Sequence, residues 1–268
     1  MLAGMSDYDI DAAARALFDQ NRQGQTGTLL APPLYPPDLA SAYRVQDRLQ
    51  GLFTAAGAGS VAGWKVALTT PVMQQLVGVD HPCEGGIFET RMHLSPCALP
   101  HDAFVNVGVE SEIAVRLSDD MNADNAPYTR DSVRDAVAAC MAAIEIVDDR
   151  AYEYGGLEAV TLIADNAFNA GCVLGREIAD WRELDLAALG GRMMLNGTVL
   201  AEGRGADVLG HPFEALAWLA NSLIARGKML RMGDRVLLGS VVKTYWPKRG
   251  DSIATDIDVL GTAEVRFT

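Results

Sequence analysis

The chain has 268 residues, 49% apolar and 21% charged, an ordinary globular composition with enough length to bury a sizeable core in one large or two small domains. Its 22 basic and 35 acidic side chains give a formal charge of −13, which argues against nucleic acid or an anionic membrane as a partner, since both call for a basic face. No apolar stretch approaches the ~20 residues that span a bilayer.

The first residues show no basic segment followed by an apolar core, so no export signal is expected and the protein is placed in the cytoplasm. Cys83, Cys97, Cys140 and Cys172 lack CxxC spacing and are read as reduced packing thiols rather than a zinc site.

In chain order, a first amphipathic helix is expected over 10–20, capped by Ser6 or Asp9, with Ile10, Ala13, Ala14, Leu17 and Phe18 on one stripe. A proline-rich loop over 24–38 leads to a second helix at 39–56, which ends in a Gly-rich link. Residues 63–69 read as a strand and 71–76 as a short helix; 77–103 read as a long loop holding His81, His93 and His101. Helical spacing of Val133, Val137, Cys140, Met141 and Ile144 predicts a helix over 131–143, delivering the chain into a strand at Glu145. Asn196-Gly197 marks a two-residue hairpin, His211-Pro212 a helix start running to about Gly227, and 235–240 and 256–267 late strands. Helices and strands intermix without a regular βαβ rhythm, so an α+β fold with a large, mainly antiparallel sheet is expected.

The segment from Val107 to Leu117 carries the chemistry. At period two, Val107, Val109, Ser111, Ile113, Val115 and Leu117 share one face, and Gly108, Glu110, Glu112, Ala114 and Arg116 the other. Two carboxylates one pleat repeat apart repel, which calls for a positive charge between them. Glu145 lies in an apolar run where an unpaired charge is costly. Three hard oxygen ligands meeting at one point suit Mg²⁺ or Mn²⁺. Taken alone, a Glu-x-Glu strand is more often a solvated sheet face, Lys65 beside Trp64 a snorkelling surface lysine, and Asp165-Asn166 a turn pair. The four histidines are given no catalytic role, and Asp148-Asp149-Arg150 is read as a set of local salt bridges.

An ordered set of motifs then becomes recognisable: Gly63-Trp-Lys-Val-Ala-Leu-Thr69, Val109-Glu-Ser-Glu-Ile-Ala114, Ala143-Ile-Glu-Ile-Val-Asp-Asp-Arg150, Ala164-Asp-Asn-Ala167, the run from Gly210 to Asn221, and Gly233-Asp-Arg-Val-Leu-Leu-Gly-Ser240. In this order they resemble the 2-keto-4-pentenoate hydratase / 2-oxo-3-enedioate decarboxylase branch of the fumarylacetoacetate hydrolase superfamily, over nearly the whole chain from Leu39 to Phe267. The resemblance implies a helical N-terminal part (1–62) packed on a rolled β-sheet catalytic core (63–268), one structural domain overall. It implies Glu110, Glu112 and Glu145 as metal ligands, Lys65 and Asp165 in catalytic roles, and Ser240 and Leu68 against the substrate. It also implies a homo-oligomer, in some members associated with a partner enzyme of the same pathway, acting on a small 2-oxo acid in aromatic catabolism.

Three departures stand out. Where the family motif reads Pro-Asp-aromatic-Gly, this chain reads Pro82-Cys83-Glu84-Gly85, so Glu84 becomes the candidate for the acid absent at position 83. Phe168 stands where a small residue is expected, and 241–246 is bulkier and more cationic than the family pattern, which hints at a substrate with a larger tail.

The expected activity is metal-dependent addition of water to a 2-hydroxy-2,4-dienoate through its 2-oxo-4-enoate form, giving a 4-hydroxy-2-oxo acid. Lys65 is the expected proton shuttle, its pKa lowered by burial near a cation, with Asp165 orienting it. A 2-oxo-3-enedioate decarboxylase on the same site is the alternative; an acylpyruvate C–C hydrolase and a non-catalytic partner subunit follow.

Overall fold

The computed structural model describes residues 8–153 and 155–268. In chain order its elements are α1 (Ile10–Arg22), α2 (Leu39–Phe53), β1 (Val61–Ala67), α3 (Pro71–Leu76), β2 (Cys83–Phe88), β3 (Met92–Leu94), β4 (Cys97–Leu99), β5 (Val107–Leu117) and β6 (Val137–Asp148). After these come α4 (Ala159–Ala164), β7 (Asn169–Leu174), β8 (Gly190–Leu195), β9 (Thr198–Arg204), α5 (Pro212–Ala225), β10 (Arg235–Ser240), β11 (Ser252–Ile257) and β12 (Gly261–Phe267).

Seven strands form one sheet in the order β2-β1-β10-β5-β6-β7-β3, and five form another in the order β4-β12-β11-β8-β9. Most neighbours are antiparallel; β1/β10, β3/β7 and β4/β12 are parallel. The larger sheet rolls until β2 returns beside β7. The Asn166 side chain closes the seam: its Oδ1 accepts from Gly86 N and its Nδ2 donates to Gly86 O, both at 2.8 Å. That approach requires glycine, because a Cβ on neighbouring Gly85 would stand 2.4 Å from Asn166 O.

The period-two reading of β5 holds. Val107 and Val109 face outward onto the second sheet with Ile253, Val265 and Phe267. Ile113, Val115 and Leu117 pack in the cluster that holds Phe213, Leu216 and Leu219 of α5, while Ala114 faces the interior of the roll. Each such side chain removed from water contributes roughly 1.5–3 kcal/mol. The N-terminal helices pack edge-on through Phe18 and Phe53, 5.1 Å between ring centroids, and Phe53 reaches Phe88 of β2 at 5.5 Å.

Asp9 caps α1 by accepting from Ala12 N at 2.9 Å; Ser6 lies outside the described residues. α3, the Asn-Gly hairpin β8–β9 and α5 appear as expected, and His211 caps α5 by accepting from Phe213 N at 3.0 Å.

Two expectations are corrected. Residues 131–143 are not a helix: a short 3-10 turn, Ser132–Ala136, opens directly into β6. β6 is buried on both faces, and a strand of that kind carries a continuous apolar run that satisfies helical spacing by accident. Nor is 77–103 a plain loop, since it contains β2, β3 and β4; β2 was hidden by its Gly85-Gly86 pair, which packing demands and strand propensity disfavours.

Candidate metal and proton-transfer site

β5 and β6 pair with Glu110 directly opposite Glu145, and Glu112 sits two residues on from Glu110 on the same face. Directly opposed residues of an antiparallel pair point to one side, so register alone draws the three carboxylates together. One oxygen from each lies within 4.8 Å of the others, and among the described residues no other three His, Cys, Asp or Glu side chains come together in this way.

Each carboxylate is held through one oxygen. Gly239 N donates to Glu112 Oε2 at 2.7 Å, Thr244 Oγ1 donates to Glu110 Oε1, and Asn169 Nδ2 donates to Glu145 Oε1 at 2.9 Å. Gly239 reaches Glu112 in a left-handed conformation (φ 117°), and a Cβ there would stand 2.5 Å from Thr69 Cγ2. Thr244 is brought to Glu110 by a strand-like pairing of Tyr245 with Val109. The remaining oxygens, Glu112 Oε1 and Glu145 Oε2, are buried with no hydrogen-bond partner. A carboxylate oxygen buried without a donor carries a desolvation cost of roughly 1–3 kcal/mol or more. Three carboxylates with oxygens within 4.8 Å of one another, two of them carrying a bare buried oxygen, form a donor set suited to a hard divalent cation.

The protonation equilibria agree. Burial first, then the neighbouring carboxylates, push Glu112 well above the usual carboxylate range. Burial likewise lifts Glu145 to about 7, against the opposing pull of Lys65.

Lys65 faces this cluster from β1, with Nζ 3.2 Å from Glu145 Oε1. Burial pulls its pKa down, but Glu145 and Glu110 outweigh that pull and leave it above the ordinary lysine value. That is the balance in the metal-free protein; the expected depression concerned Lys65 beside a bound cation.

The remaining candidates lie elsewhere. On β2, Cys83 pairs with Ala67 and so shares the face of Lys65, whereas Glu84 pairs with Val66 and points to the opposite face. There Glu84 is fully buried and accepts from Tyr43 Oη at 2.7 Å, from Ser222 Oγ at 3.2 Å and from Arg226. Glu84 thus does not stand in for an acid at position 83; that place is taken by a buried thiol whose pKa burial pushes up to about 12. Asp165 does not orient Lys65. It pairs with Arg150 at 2.5 Å and accepts from Asn21 at 3.0 Å. The Arg150 guanidinium accordingly has its ion-pair partner 15 residues away, while Asp148 accepts from the backbone amides of Val105, Asn106 and Arg150.

Ser240 lies opposite Glu112, with its hydroxyl within reach of the carbonyls of Val242 (2.7 Å) and Ser111 (3.2 Å). Leu68 is buried in the cluster shared with the N-terminal helices. Phe168 is spent on packing, stacked on Tyr152 at 5.1 Å. Sequence reasoning missed Asn169 and Thr244, which hold two of the carboxylates; an asparagine opening a strand, where that residue is disfavoured, was the available signal.

Residues 90–268 match the family model described as Fumarylacetoacetate (FAA) hydrolase C-terminal. A 2-keto-4-pentenoate hydratase of Burkholderia vietnamiensis is 33% identical over 262 residues, 98% of each chain. A 2-hydroxyhexa-2,4-dienoate hydratase of Comamonas testosteroni is 30% identical over 267 residues, 98% of this chain and 100% of that one. Among solved structures, a 4-oxalocrotonate decarboxylase from Pseudomonas putida G7, complexed with magnesium and adipate, superposes with a TM-score of 0.90 at 26% identity over 99% of both chains. No helix among the described residues is long and apolar enough to cross a membrane. By its matched core, its relatives and its fold, the chain belongs to the fumarylacetoacetate hydrolase superfamily, in the branch of 2-keto-4-pentenoate hydratases and 2-oxo-3-enedioate decarboxylases.

Proposed function

We propose that this protein is a divalent-metal-dependent hydro-lyase that adds water to a 2-hydroxy-2,4-dienoate, giving a 4-hydroxy-2-oxo acid, in the breakdown of aromatic compounds. The observation that carries this reading is the meeting of Glu110, Glu112 and Glu145, with bare buried oxygens on Glu112 and Glu145, beside the Lys65 ammonium. Those three residues would hold Mg²⁺ or Mn²⁺. A divalent cation there supplies Lewis acidity, lowering the cost of negative charge on the oxygens of a 2-oxo acid.

The chain's own groups do the rest. Lys65, kept charged by Glu145, delivers a proton to the far end of the dienol and takes one back as water adds across the conjugated bond. Asn169 fixes Glu145, and the Gly239 amide fixes Glu112, so neither carboxylate must reorganise during turnover. Ser240 and Leu68 would lie against the substrate. Glu84 and Asp165 act at a distance as positioning residues, one holding β2 to α5 and the other holding Arg150. Residues 1–62 serve as a helical segment on a catalytic core of 63–268. Exposed Val72, Met73 and Leu76 on α3 favour a homo-oligomer, and four unpaired thiols suit the cytoplasm.

Decarboxylation of a 2-oxo-3-enedioate is the second reading, favoured by the 0.90 superposition on the decarboxylase. It uses the same electron sink and leaves the same dienolate.

The test is turnover. Loss of the ultraviolet band of a 2-hydroxydienoate, dependent on Mg²⁺ or Mn²⁺ and abolished by EDTA, is expected. Release of carbon dioxide from an enedioate with no hydration of the dienoate would move the assignment to decarboxylase, and metal-replete protein inert on both would overturn the lyase reading.

A further inference from the structure

The interior of the roll is closed on one side of the carboxylate cluster and open on the other. Toward the C-terminal end of β5 it is packed shut by Ile87, Ala114, Met141, Leu174 and Leu237, none more than 4% exposed. Toward the N-terminal end the next interior pair beyond the cluster is Gly108 opposite Val147, and the glycine puts no side chain there. Burial changes in the same direction. Glu112 is sealed at 0% exposed, whereas Glu110, one pleat repeat nearer Gly108, is partly exposed. A substrate held at the cluster therefore trails its far end past Gly108.

Gly108 is overlain by the segment that follows β10. Val109 N donates to Tyr245 O at 2.8 Å, and Tyr245 N donates to Val109 O at 3.0 Å. Strand alternation then sends Thr244 and Trp246 to the face of Glu110 and Gly108. It sends Lys243 and Tyr245 to the other face, where Tyr245 packs in the cluster of Val109, Ile253 and Val265. The contacts agree with this assignment. Thr244 Oγ1 donates to Glu110 Oε1, and a Cβ on Gly108 would stand 3.0 Å from Thr244 Cγ2 and 3.5 Å from Trp246 Nε1. Trp64 and Trp181 are buried in the core, but Trp246 keeps 42% of its surface exposed. An indole seated on a glycine floor at the open end of a site presents a large apolar surface, and covering it with an apolar group is favourable. Two residues along a strand place it about 7 Å from Glu110, several carbons beyond whatever the carboxylates hold.

We propose that Trp246 is a specificity-determining residue, forming an apolar wall for the substrate beyond its conjugated carbons, so that the preferred 2-hydroxydienoates carry an alkyl tail of three or more carbons. This rests on the lyase reading above and narrows its substrate class. The 2-oxo acid end is anchored by the carboxylate cluster and Lys65, which leaves the tail as the part that reaches Trp246. Lys243, the cation of this segment, takes the alternate face, so the wall offers a hydrocarbon more than it offers a second carboxylate.

The experiment uses Trp246→Ala, which removes the wall, with Trp246→Phe as the conservative partner. In Mg²⁺-loaded protein, the ratio of kcat/KM for 2-hydroxyocta-2,4-dienoate over 2-hydroxypenta-2,4-dienoate should favour the longer acid and fall roughly tenfold in Trp246→Ala, chiefly through KM. Trp246→Phe should keep most of it. Mn²⁺ affinity should be equal in the three proteins. An unchanged ratio would overturn the wall, as would weaker Mn²⁺ binding in Trp246→Ala with equal losses on both substrates, which would assign Trp246 to holding Thr244 against Glu110. If the unsubstituted enzyme turns over neither compound, the lyase reading fails by itself. Calorimetry of 2-oxooctanoate against 2-oxobutanoate and 2-oxooctanedioate then decides the wall. Tightest binding of 2-oxooctanoate, with the advantage abolished in Trp246→Ala, supports it; equal binding, no binding, or a preference for the diacid overturns it.

Discussion

Lys65 Nζ lies 3.2 Å from Glu145 Oε1, with 4% and 0% of the two side chains exposed. This ion pair has two further carboxylates beside it, so when all three acids are ionised three negative groups share one ammonium. Two charges remain uncompensated, a deficit that a doubly charged cation removes and Na⁺ or K⁺ does not. The pair therefore makes the cluster selective for charge as well as for hard oxygen chemistry.

Replacing Lys65 with Met should lower kcat by about 10²–10⁴ while metal still binds. Metal affinity should hold or rise, because a like charge has been removed from the cation's neighbourhood. Single-turnover rates alongside Mn²⁺ titration would show it; loss of metal and activity together would assign Lys65 to holding the cluster rather than moving protons.

Metal binding should strengthen as pH rises. Glu145 releases its proton at about 7 and Glu112 well above the usual range, so cation and proton compete for the same oxygens. The sign for the metal-free fold is the opposite. Carboxyls whose native pKa lies above the unfolded value bind more protons when folded, so stability falls as pH climbs from about 4.3 to about 7. Thermal melts of EDTA-treated protein across that window, with and without added Mg²⁺, should diverge as pH increases.

Glu84→Gln should cost about 1–3 kcal/mol of stability, because the half-buried Arg226 loses one of its two carboxylate partners and keeps only Asp47 at 3.6 Å. The number of metal ions bound should stay the same, since Glu84 points away from the cluster. Chemical denaturation gives the first quantity and Mn²⁺ titration the second. Loss of the bound ion in a folded Glu84→Gln variant would place this carboxylate at the site after all.

Asp165→Asn should likewise destabilise by about 3–5 kcal/mol, leaving Arg150 buried and unpaired, and Arg150→Met in the same chain should recover part of the loss. Additive losses in the double-mutant cycle would show that the 2.5 Å pair is not coupled.

The metal half of the site was legible because β5, though covered on both faces, carries Glu110, Glu112 and Arg116 on one of them, so its period-two pattern survives in the sequence. β6 gave no such pattern. Both its faces are buried, its apolar run read as a helix up to Ala143, and the pairing of Glu145 with Glu110 depends on a register that only the fold supplies. Glu84 was misplaced for a related reason: one step along a strand reverses the face, so adjacent Cys83 and Glu84 belong to different layers. Asp165 with Arg150, and Asn169 with Glu145, are contacts between elements that no local pattern encodes. The N-terminal helices and the Asn-Gly hairpin were readable because their signals are local.

Mn²⁺ titration of the intact protein and of Glu145→Gln, followed by the paramagnetic signal of the free ion, addresses the carboxylate cluster itself. One Mn²⁺ per chain should bind to the unsubstituted protein, and a folded Glu145→Gln variant should lose at least a hundredfold in affinity. Equal stoichiometry and affinity in both proteins would show that Glu110, Glu112 and Glu145 do not hold the cation.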